Sequence, residues 1–229
     1  MKIVNFAEEN SLVGQFLTEM RDVKRQNDPL RFRHNLKRVG QIMAYEISKR
    51  LRYAATPVTT PLADTTCPTI DEHIVLATIL RAGLPFYQGF LDYFDNAQNA
   101  FVSAYRKIES NGELRIHVEY IAAPPIDDKT LILVDPMLAT GSSMDLCHQA
   151  LLTKGTPSTV HLASVIAVPE AIANLEKAFP ADTTLWTAAI DEGLNDDHYI
   201  VPGLGDAGDL AFGPKDPNDN GIIGRNISK

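Results

Sequence analysis

The chain has 229 residues, of which 45% are apolar, so it can bury a substantial core in one large domain or two small ones. Its 21 Lys and Arg against 29 Asp and Glu leave a net charge of -8, which excludes a chain-wide positive field for binding nucleic acid or an anionic membrane. No apolar run reaches the roughly 18 to 20 residues of a membrane span, and no signal peptide is visible, so we expect a soluble, cytoplasmic protein.

The first fifty residues are predicted to be helical. A first helix presents an apolar face made of Leu12, Phe16, Leu17, Met20 and Val23. Asp28 and Pro29 supply an N-cap and a first-turn proline for a second helix. The apolar stripe of that second helix consists of Phe32, Leu36, Val39, Ile42 and Met43. A loop rich in Thr, Pro and Ala is expected from Thr56 to Pro68.

Beyond this loop, short apolar runs alternate with helical patterns. Strands are predicted at Ile74–Leu80, Ala100–Ala104, Leu131–Val134, His161–Val168 and Thr184–Ile190. Helices are predicted between them at Leu84–Phe94, Ser143–Lys154 and Pro169–Phe179. This alternation is typical of an α/β domain with a mostly parallel central sheet flanked by helices.

Three other features depart from this alternation. Residues 105–123 carry Gly112 between two extended stretches of alternating polarity, which indicates an antiparallel hairpin projecting from the sheet. Residues 214–229 are polar and rich in Asp, Asn and Gly, which predicts a mobile tail. Cys67 and Cys147 lie far apart without the spacing of a disulfide framework or zinc site, so both are expected to be packing residues.

A loop of small residues follows the Leu131–Val134 strand and leads directly into a helical pattern. The first amides of that helix have no internal partners, and Thr140, Ser142 and Ser143 add hydroxyl donors, so the loop could bind a phosphate. Gly141 is not followed by Lys, which excludes the loop of nucleoside-triphosphate hydrolases. The alternative is that Ser142 is an ordinary N-cap, with Asp145 completing a capping box.

Asp135 begins this loop, at the carboxyl end of a central strand. Open α/β sheets bind ligands at that edge, where a carboxylate could accept hydrogen bonds from ribose hydroxyls.

Three segments, in order, resemble the uracil branch of the type I phosphoribosyltransferases. Val134–Ser143 resembles the loop that binds 5-phosphoribosyl 1-diphosphate (PRPP), including the Asp-Pro pair of this branch at Asp135 and Pro136. Ile79–Leu84 resembles its diphosphate loop, and Tyr199–Asp209 resembles its uracil-binding segment. The resemblance runs from near the amino terminus to Gly213, which indicates a single domain over residues 1–213.

The resemblance implies the type I phosphoribosyltransferase fold, with the hairpin as a lid and a small hood over the base. It implies conversion of uracil and PRPP to UMP and diphosphate in pyrimidine salvage, with Mg²⁺ carried by PRPP and a homodimer or larger assembly. The implied catalytic residues are Arg81 and Asp206. The implied PRPP-binding residues are Arg81, Arg106, Asp135, Pro136, Met137, Leu138, Ala139, Thr140, Gly141, Ser142, Ser143 and Asp206, and the uracil-binding residues are Ile200, Gly205, Asp206 and Ala207.

The segment Gly203–Gly208 also satisfies the Gly-x-Gly-x-x-Gly pattern of dinucleotide-binding proteins. Only 21 residues follow Gly208, too few for the helix, strand and acidic residue that such a site needs. A glycine-rich surface turn is the other alternative. Glycines also let main-chain amides and carbonyls approach a flat ligand, and uracil presents acceptor, donor and acceptor along one edge.

Two positions depart from the family pattern. Ser142 stands where glycine is frequent, and we predict an ordinary negative φ there. Leu210 stands where Lys or Arg is common. Two rival functions remain: the same chemistry on orotate or a purine, and a uracil-responsive RNA-binding regulator, which the negative net charge disfavours.

Overall fold

The structure is a computed structural model that describes residues 1–108 and 114–214. The strands are β1 (Lys2–Asn5), β2 (Tyr53–Thr59), β3 (Asp64–Ile70), β4 (Ile74–Leu80), β5 (Gln98–Ile108), β6 (Leu114–Ala122), β7 (Thr130–Val134), β8 (Met137–Leu138), β9 (Thr159–Ala167), β10 (Thr184–Ile190), β11 (Gly193–Leu194) and β12 (Ile200–Val201). The helices are α1 (Leu12–Arg21), α2 (Pro29–Ser48), α3 (Gly83–Leu91), α4 (Ser142–Leu152), α5 (Pro169–Ala178) and α6 (Ala207–Phe212), with a 3₁₀ turn at Phe6–Glu8.

An eight-stranded sheet forms the centre of the described chain. Its order is β1-β10-β9-β7-β4-β5-β6, and β8 pairs with β9. All neighbouring pairs are parallel except β5 with β6. Every residue of β7 is buried, as expected for a parallel strand covered on both faces by helices. The predicted α/β class with a mostly parallel sheet is therefore confirmed.

The predicted strands and helices agree closely with those observed. β4 and β10 have the predicted bounds, and α5 begins at the predicted proline. Asp28 caps α2 as predicted, because its side chain accepts a hydrogen bond from the Arg31 amide at 3.1 Å. None of the helices in the described ranges combines the length and apolar character needed to cross a membrane.

The amino terminus differs from the prediction in two ways. Lys2–Asn5 is not helical but forms an edge strand parallel to β10, where Ile3 and Val4 suit an extended backbone. Leu12 and Val23 do not belong to the buried face of α1, since they are 64% and 69% exposed and Val23 lies beyond the end of the helix; Val13 is buried instead. The buried face of α1 is thus rotated from the one predicted, because the neighbouring turn and α2 determine which side is covered.

The segment predicted as a loop from Thr56 to Pro68 is a β-hairpin. β2 and β3 pair antiparallel, with Thr56 opposite Cys67, and form a separate two-stranded sheet. The prolines obscured this pattern, although proline is tolerated in strands that have a free edge. Cys67 lies on this ribbon and is exposed, so its prediction as a packing residue is wrong, whereas Cys147 is buried as predicted.

The predicted hairpin at residues 105–123 corresponds to β5 and β6, which pair antiparallel. β5 pairs with β4 only over Gln98–Ser103, so the backbone beyond this stretch pairs with β6 alone and extends past the sheet. The turn with Gly112, the side chains of residues 104–119 and the tail after residue 214 lie outside the described residues.

Candidate active site

The predicted loops leave the sheet at neighbouring strands. β4 continues through α3 to β5 on one side, and β7 continues through α4 to β9 on the other, so the order of connections reverses between β4 and β7. These two strands are parallel neighbours, with Thr78 opposite Val134. A crevice at the carboxyl ends of such strands is the usual ligand site of an open α/β sheet. Arg81 and Asp135 both lie at this edge, directly after β4 and β7 respectively.

The loop after β7 surrounds a small pocket that is open to solvent. Its lining consists of Asp135, Met137, Leu138, Ala139, Thr140, Gly141, Ser143 and Met144. Seven of the nine residues predicted in this loop therefore face one pocket, while Pro136 is buried behind it and Ser142 is exposed. The start of α4 lies in the same loop, so its first amides are directed towards this space.

The start of α4 differs from the predicted capping box. The N-cap is Gly141, which has a φ of 77°, and Ser142 is the first helical residue. The Asp145 amide bonds the Gly141 carbonyl at 3.0 Å, and the Asp145 side chain accepts from Gln149. The capping box is therefore wrong, and the predicted negative φ of Ser142 is confirmed, because the left-handed backbone of the turn falls on the glycine.

Two hydroxyls and one amide stabilise the shape of this loop. The Thr140 and Ser142 hydroxyls bond each other at 2.9 Å, and the Asn174 side chain of α5 donates to the Thr140 carbonyl at 3.1 Å. The loop is thus held against α5 before a ligand arrives, which reduces the ordering cost of binding.

Asp135 is half-buried between the sheet and α4. Its amide bonds the Ala163 carbonyl of β9 at 3.1 Å, which continues the parallel pairing into the loop. Burial raises the pKa of the Cys147 thiol on α4 to about 12, and the negative charge of Asp135 acts in the same direction. Cys147 is therefore a protonated packing residue beside the pocket.

The turn after β4 places Arg81 against the carboxyl-terminal part of the chain. An Arg81 terminal nitrogen donates to the Asp209 carboxylate of α6 at 3.1 Å. The Arg81 Nε is buried and has no hydrogen-bond partner among the described residues. Since buried donors usually find an acceptor, this nitrogen is one of the few unsatisfied buried groups among the described residues.

The segment from Ile200 to Ala207 lies next to Arg81. Ile200 and Ala207 are buried, Gly205 has a φ of 91°, and Asp206 is exposed at the N-terminus of α6. The Asp206 side chain accepts a hydrogen bond from the Asp209 amide at 3.0 Å. Asp209 thus contacts both residues predicted to be catalytic, Arg81 through its carboxylate and Asp206 through its amide.

Three polar residues at this end of the molecule were absent from the sequence prediction: Arg21, Gln26 and Asp191. Asp209 was named only as the end of the uracil-binding segment, without a role of its own. Arg21 forms an ion pair with Asp191, and the Gln26 side chain donates to the Leu204 carbonyl at 3.1 Å. Asp191 directly follows β10. Because ligands bind at the carboxyl ends of such strands, the argument that singled out Asp135 could also have predicted Asp191. Arg21 and Gln26 carried no such signal, since they lie near the opposite end of the chain.

Two other residues that the sequence analysis named are Arg106 and Leu210. The backbone of Arg106 is part of β5, but its side chain is outside the described residues. Leu210 packs partly buried against the apolar core. Within residues 1–108 and 114–214, no group of three or more His, Cys, Asp and Glu side chains is arranged to hold a metal ion.

Known proteins resemble this chain over most of its length. The family model of uracil phosphoribosyltransferase matches residues 7–214. A uracil phosphoribosyltransferase from Porphyromonas gingivalis is 56% identical over 215 residues, which cover 94% of this chain and 100% of the relative. Another from Pyrococcus furiosus is 38% identical over 209 residues, which cover 90% of this chain and 88% of the relative.

A solved structure of a protein from Aquifex aeolicus superimposes with a TM-score of 0.82 at 31% identity. The match covers 92% of this chain and 98% of the Aquifex chain. Because the family match spans the loop after β7, the Arg81 turn and the segment before α6, the chain belongs to the uracil phosphoribosyltransferase family.

Proposed function

We propose that this site transfers the phosphoribosyl group of PRPP to N1 of uracil, releasing diphosphate and forming UMP. The observation that carries the proposal is the contact between Arg81 and Asp209, because it joins the turn after β4 to the segment implied to hold the base. The pocket after β7 lies at the same edge of the sheet. Phosphate, leaving group and base would thus have adjacent sites.

The 5-phosphate is assigned to the pocket at the start of α4. Backbone amides and the hydroxyls of Thr140 and Ser143 are the donors there, and the positive end of the helix dipole favours an anion. Hydrogen bonds to a charged group contribute roughly 1.5 to 3 kcal/mol each, so several of them can replace a lysine. Asp135 would accept hydrogen bonds from the ribose hydroxyls.

The diphosphate is assigned to Arg81. Negative charge grows on diphosphate as its bond to the anomeric carbon breaks, and a guanidinium can donate to two phosphate oxygens at once. The hydrogen bond to Asp209 supports this role, because it keeps the guanidinium oriented at this edge of the sheet. Mg²⁺ would arrive on PRPP, held by the oxygens of that substrate, with Arg106 and the β5–β6 hairpin covering it.

Uracil is assigned to the backbone between Ile200 and Ala207. Main-chain donors and acceptors in a fixed arrangement can match the acceptor, donor, acceptor edge of uracil, whereas the amino group of cytosine would face another donor. Such unpaired buried groups give discrimination of roughly 10⁴-fold. Asp206, an exposed residue within this segment, would orient the N1 proton of uracil and face PRPP. We expect the enzyme to act in the cytoplasm as a homodimer or larger assembly.

The decisive assay measures diphosphate release from PRPP with Mg²⁺, offering uracil, orotate, cytosine, hypoxanthine and xanthine in parallel. We expect uracil alone to support rapid turnover, with UMP as the product. Comparable rates with orotate or a purine would assign the same chemistry to another base. No release with any base would refute the proposed function.

A further inference from the structure

The segment that follows β12 has little regular structure of its own. Ile200 and Val201 pair with Leu194 and Gly193, but residues 202–206 belong to no strand or helix. A backbone that reads a base must nevertheless hold its amides and carbonyls in place, because an irregular segment has many competing conformations. The conformation of residues 202–206 must therefore be stabilised by contacts from elsewhere in the fold.

One ion pair supplies both hydrogen bonds of a backbone unit in this segment. Two Arg21 nitrogens contact the two Asp191 carboxylate oxygens at 2.8 and 2.5 Å. The Gly203 amide donates to the same carboxylate at 3.0 Å, and Arg21 also donates to the Gly203 carbonyl at 2.9 Å. Arg21, Asp191 and Gly203 thus form a closed cluster, which we call the Gly203 clamp.

The clamp is shielded from water. The Asp191 side chain is 4% exposed and that of Arg21 is 23% exposed, so the carboxylate depends on its protein partners. Removing one partner of a buried pair leaves a desolvated charge, which is costly, whereas an exposed pair contributes little. The geometry of Gly203 is therefore coupled to the intact pair.

The partners of the clamp come from elements at opposite ends of the chain. Arg21 ends α1, and Asp191 follows β10 at the edge of the sheet that carries the active site. A second contact acts beside it, since Gln26 donates to the Leu204 carbonyl at 3.1 Å and to the Met20 carbonyl at 2.8 Å. The end of α1 and the turn that follows it thereby hold two successive residues between Ile200 and Gly205.

We propose that Arg21 and Asp191 are positioning residues for uracil: they hold the Gly203–Leu204 backbone, which connects Ile200 to Gly205 and thereby sets the conformation of the uracil-binding segment. This inference rests on the proposed function of the segment. Neither side chain needs to touch uracil. Their loss would weaken recognition of the base more than recognition of PRPP, because the phosphate pocket after β7 has its own anchors in α4 and α5.

The test compares three conservative variants by steady-state kinetics with each substrate varied in turn. Arg21→Lys keeps the charge but loses the bidentate geometry, and Asp191→Asn keeps an acceptor for the Gly203 amide but loses the charge. The matched control is Arg31→Lys, because Arg31 makes the same two-point contact with Glu19, at 2.9 and 2.8 Å, between α1 and α2 only. Thermal unfolding of all three variants measures the purely structural effect.

We expect both clamp variants to raise KM for uracil roughly tenfold or more. KM for PRPP should change by less than about threefold in the same variants, and Arg31→Lys should leave both KM values near wild type at a comparable loss of melting temperature. If Asp191→Asn does not fold, Arg21→Lys decides the question.

Unchanged uracil KM in the folded clamp variants, or an equal rise in Arg31→Lys, would overturn the inference. Failure of the wild-type protein to use uracil at all would instead refute the proposed function. The two failures are therefore distinguishable.

Discussion

Arg81 illustrates how one side chain acquires a role from its surroundings. The sequence predicts an arginine directly after a buried strand, a position that is compatible with any anion. The fold adds a carboxylate partner from α6, Asp209, at 3.1 Å. This contact orients the guanidinium at the edge where diphosphate would leave.

Replacing Arg81 tests this role directly. Arg81→Ala should lower kcat at least about 10²-fold, or roughly 2.7 kcal/mol of transition-state stabilisation, because developing charge on diphosphate loses its donor. The control is Arg50→Ala, which removes an exposed arginine beyond the end of α2 and should leave the kinetics unchanged. Wild-type turnover by folded Arg81→Ala would remove Arg81 from the mechanism.

At the scale of elements, two of the site's glycines with positive φ, Gly141 and Gly203, have different structural roles. Gly141 turns the chain from β8 into α4, so that the helix begins at the pocket. Gly203 has a φ of 62°, and its backbone is held by the clamp. A Cβ at Gly203 would lie 2.0 Å from the Ile200 carbonyl oxygen, which no side chain can accommodate. The segment therefore requires glycine for both conformation and space.

Gly203→Ala should lower the free energy of unfolding by more than about 1 kcal/mol and weaken uracil binding, since the left-handed cost adds to the steric overlap. Gly14→Ala is the matched control, because Gly14 lies inside α1 with nothing within 4 Å of its Cβ position. This variant should raise the free energy of unfolding by about 0.5 to 1 kcal/mol. Urea unfolding and uracil KM measure both effects. An alanine at position 203 that preserves stability and KM would contradict the assigned conformation.

At the scale of the whole molecule, stability depends on pH through groups buried far from the site. Burial lowers the pKa of His161 in β9 from 6.5 to about 4, and the Glu72 carboxylate opposes this shift. Its Nδ1 accepts a hydrogen bond from the Trp186 indole at 3.3 Å, which requires that nitrogen to be unprotonated. The unfolded chain therefore takes up a proton before the folded chain does. The contribution of His161 to the free energy of unfolding is therefore fully present above pH 6.5 and is lost as the pH decreases towards 4.

His161→Gln should remove this contribution while keeping an acceptor for Trp186. The difference in free energy of unfolding between about pH 7.5 and about pH 5 should shrink by about 2 kcal/mol in the variant. Hydrogen bonds from Arg31 and Asn35 hold the pKa of Glu19 at about 2, below its ordinary 4.5. The contribution of Glu19 to the free energy of unfolding is therefore lost only as the pH falls from 4.5 towards 2. An identical pH dependence in His161→Gln and wild type would show that His161 is not the responsible group.

Local patterns along the chain were sufficient to predict the central strands and the position of the loop between β7 and α4. The alternation of buried strands and amphipathic helices predicted β4, β7, β9 and β10, and a loop of small residues between a strand and a helix indicated an anion site. Each of these signals lies within about twenty consecutive residues, where periodicity and helix termini act directly. The β2–β3 hairpin was missed because its prolines resemble a loop signal.

Contacts between residues far apart in the sequence could not be predicted from local patterns. Arg81 meets Asp209 across 128 positions, and Arg21 meets Asp191 across 170. Which charged side chains become partners depends on how the sheet brings its carboxyl ends together with α1 and α6. Ion-pair energies depend on burial and separation, and both quantities exist only once the chain has folded.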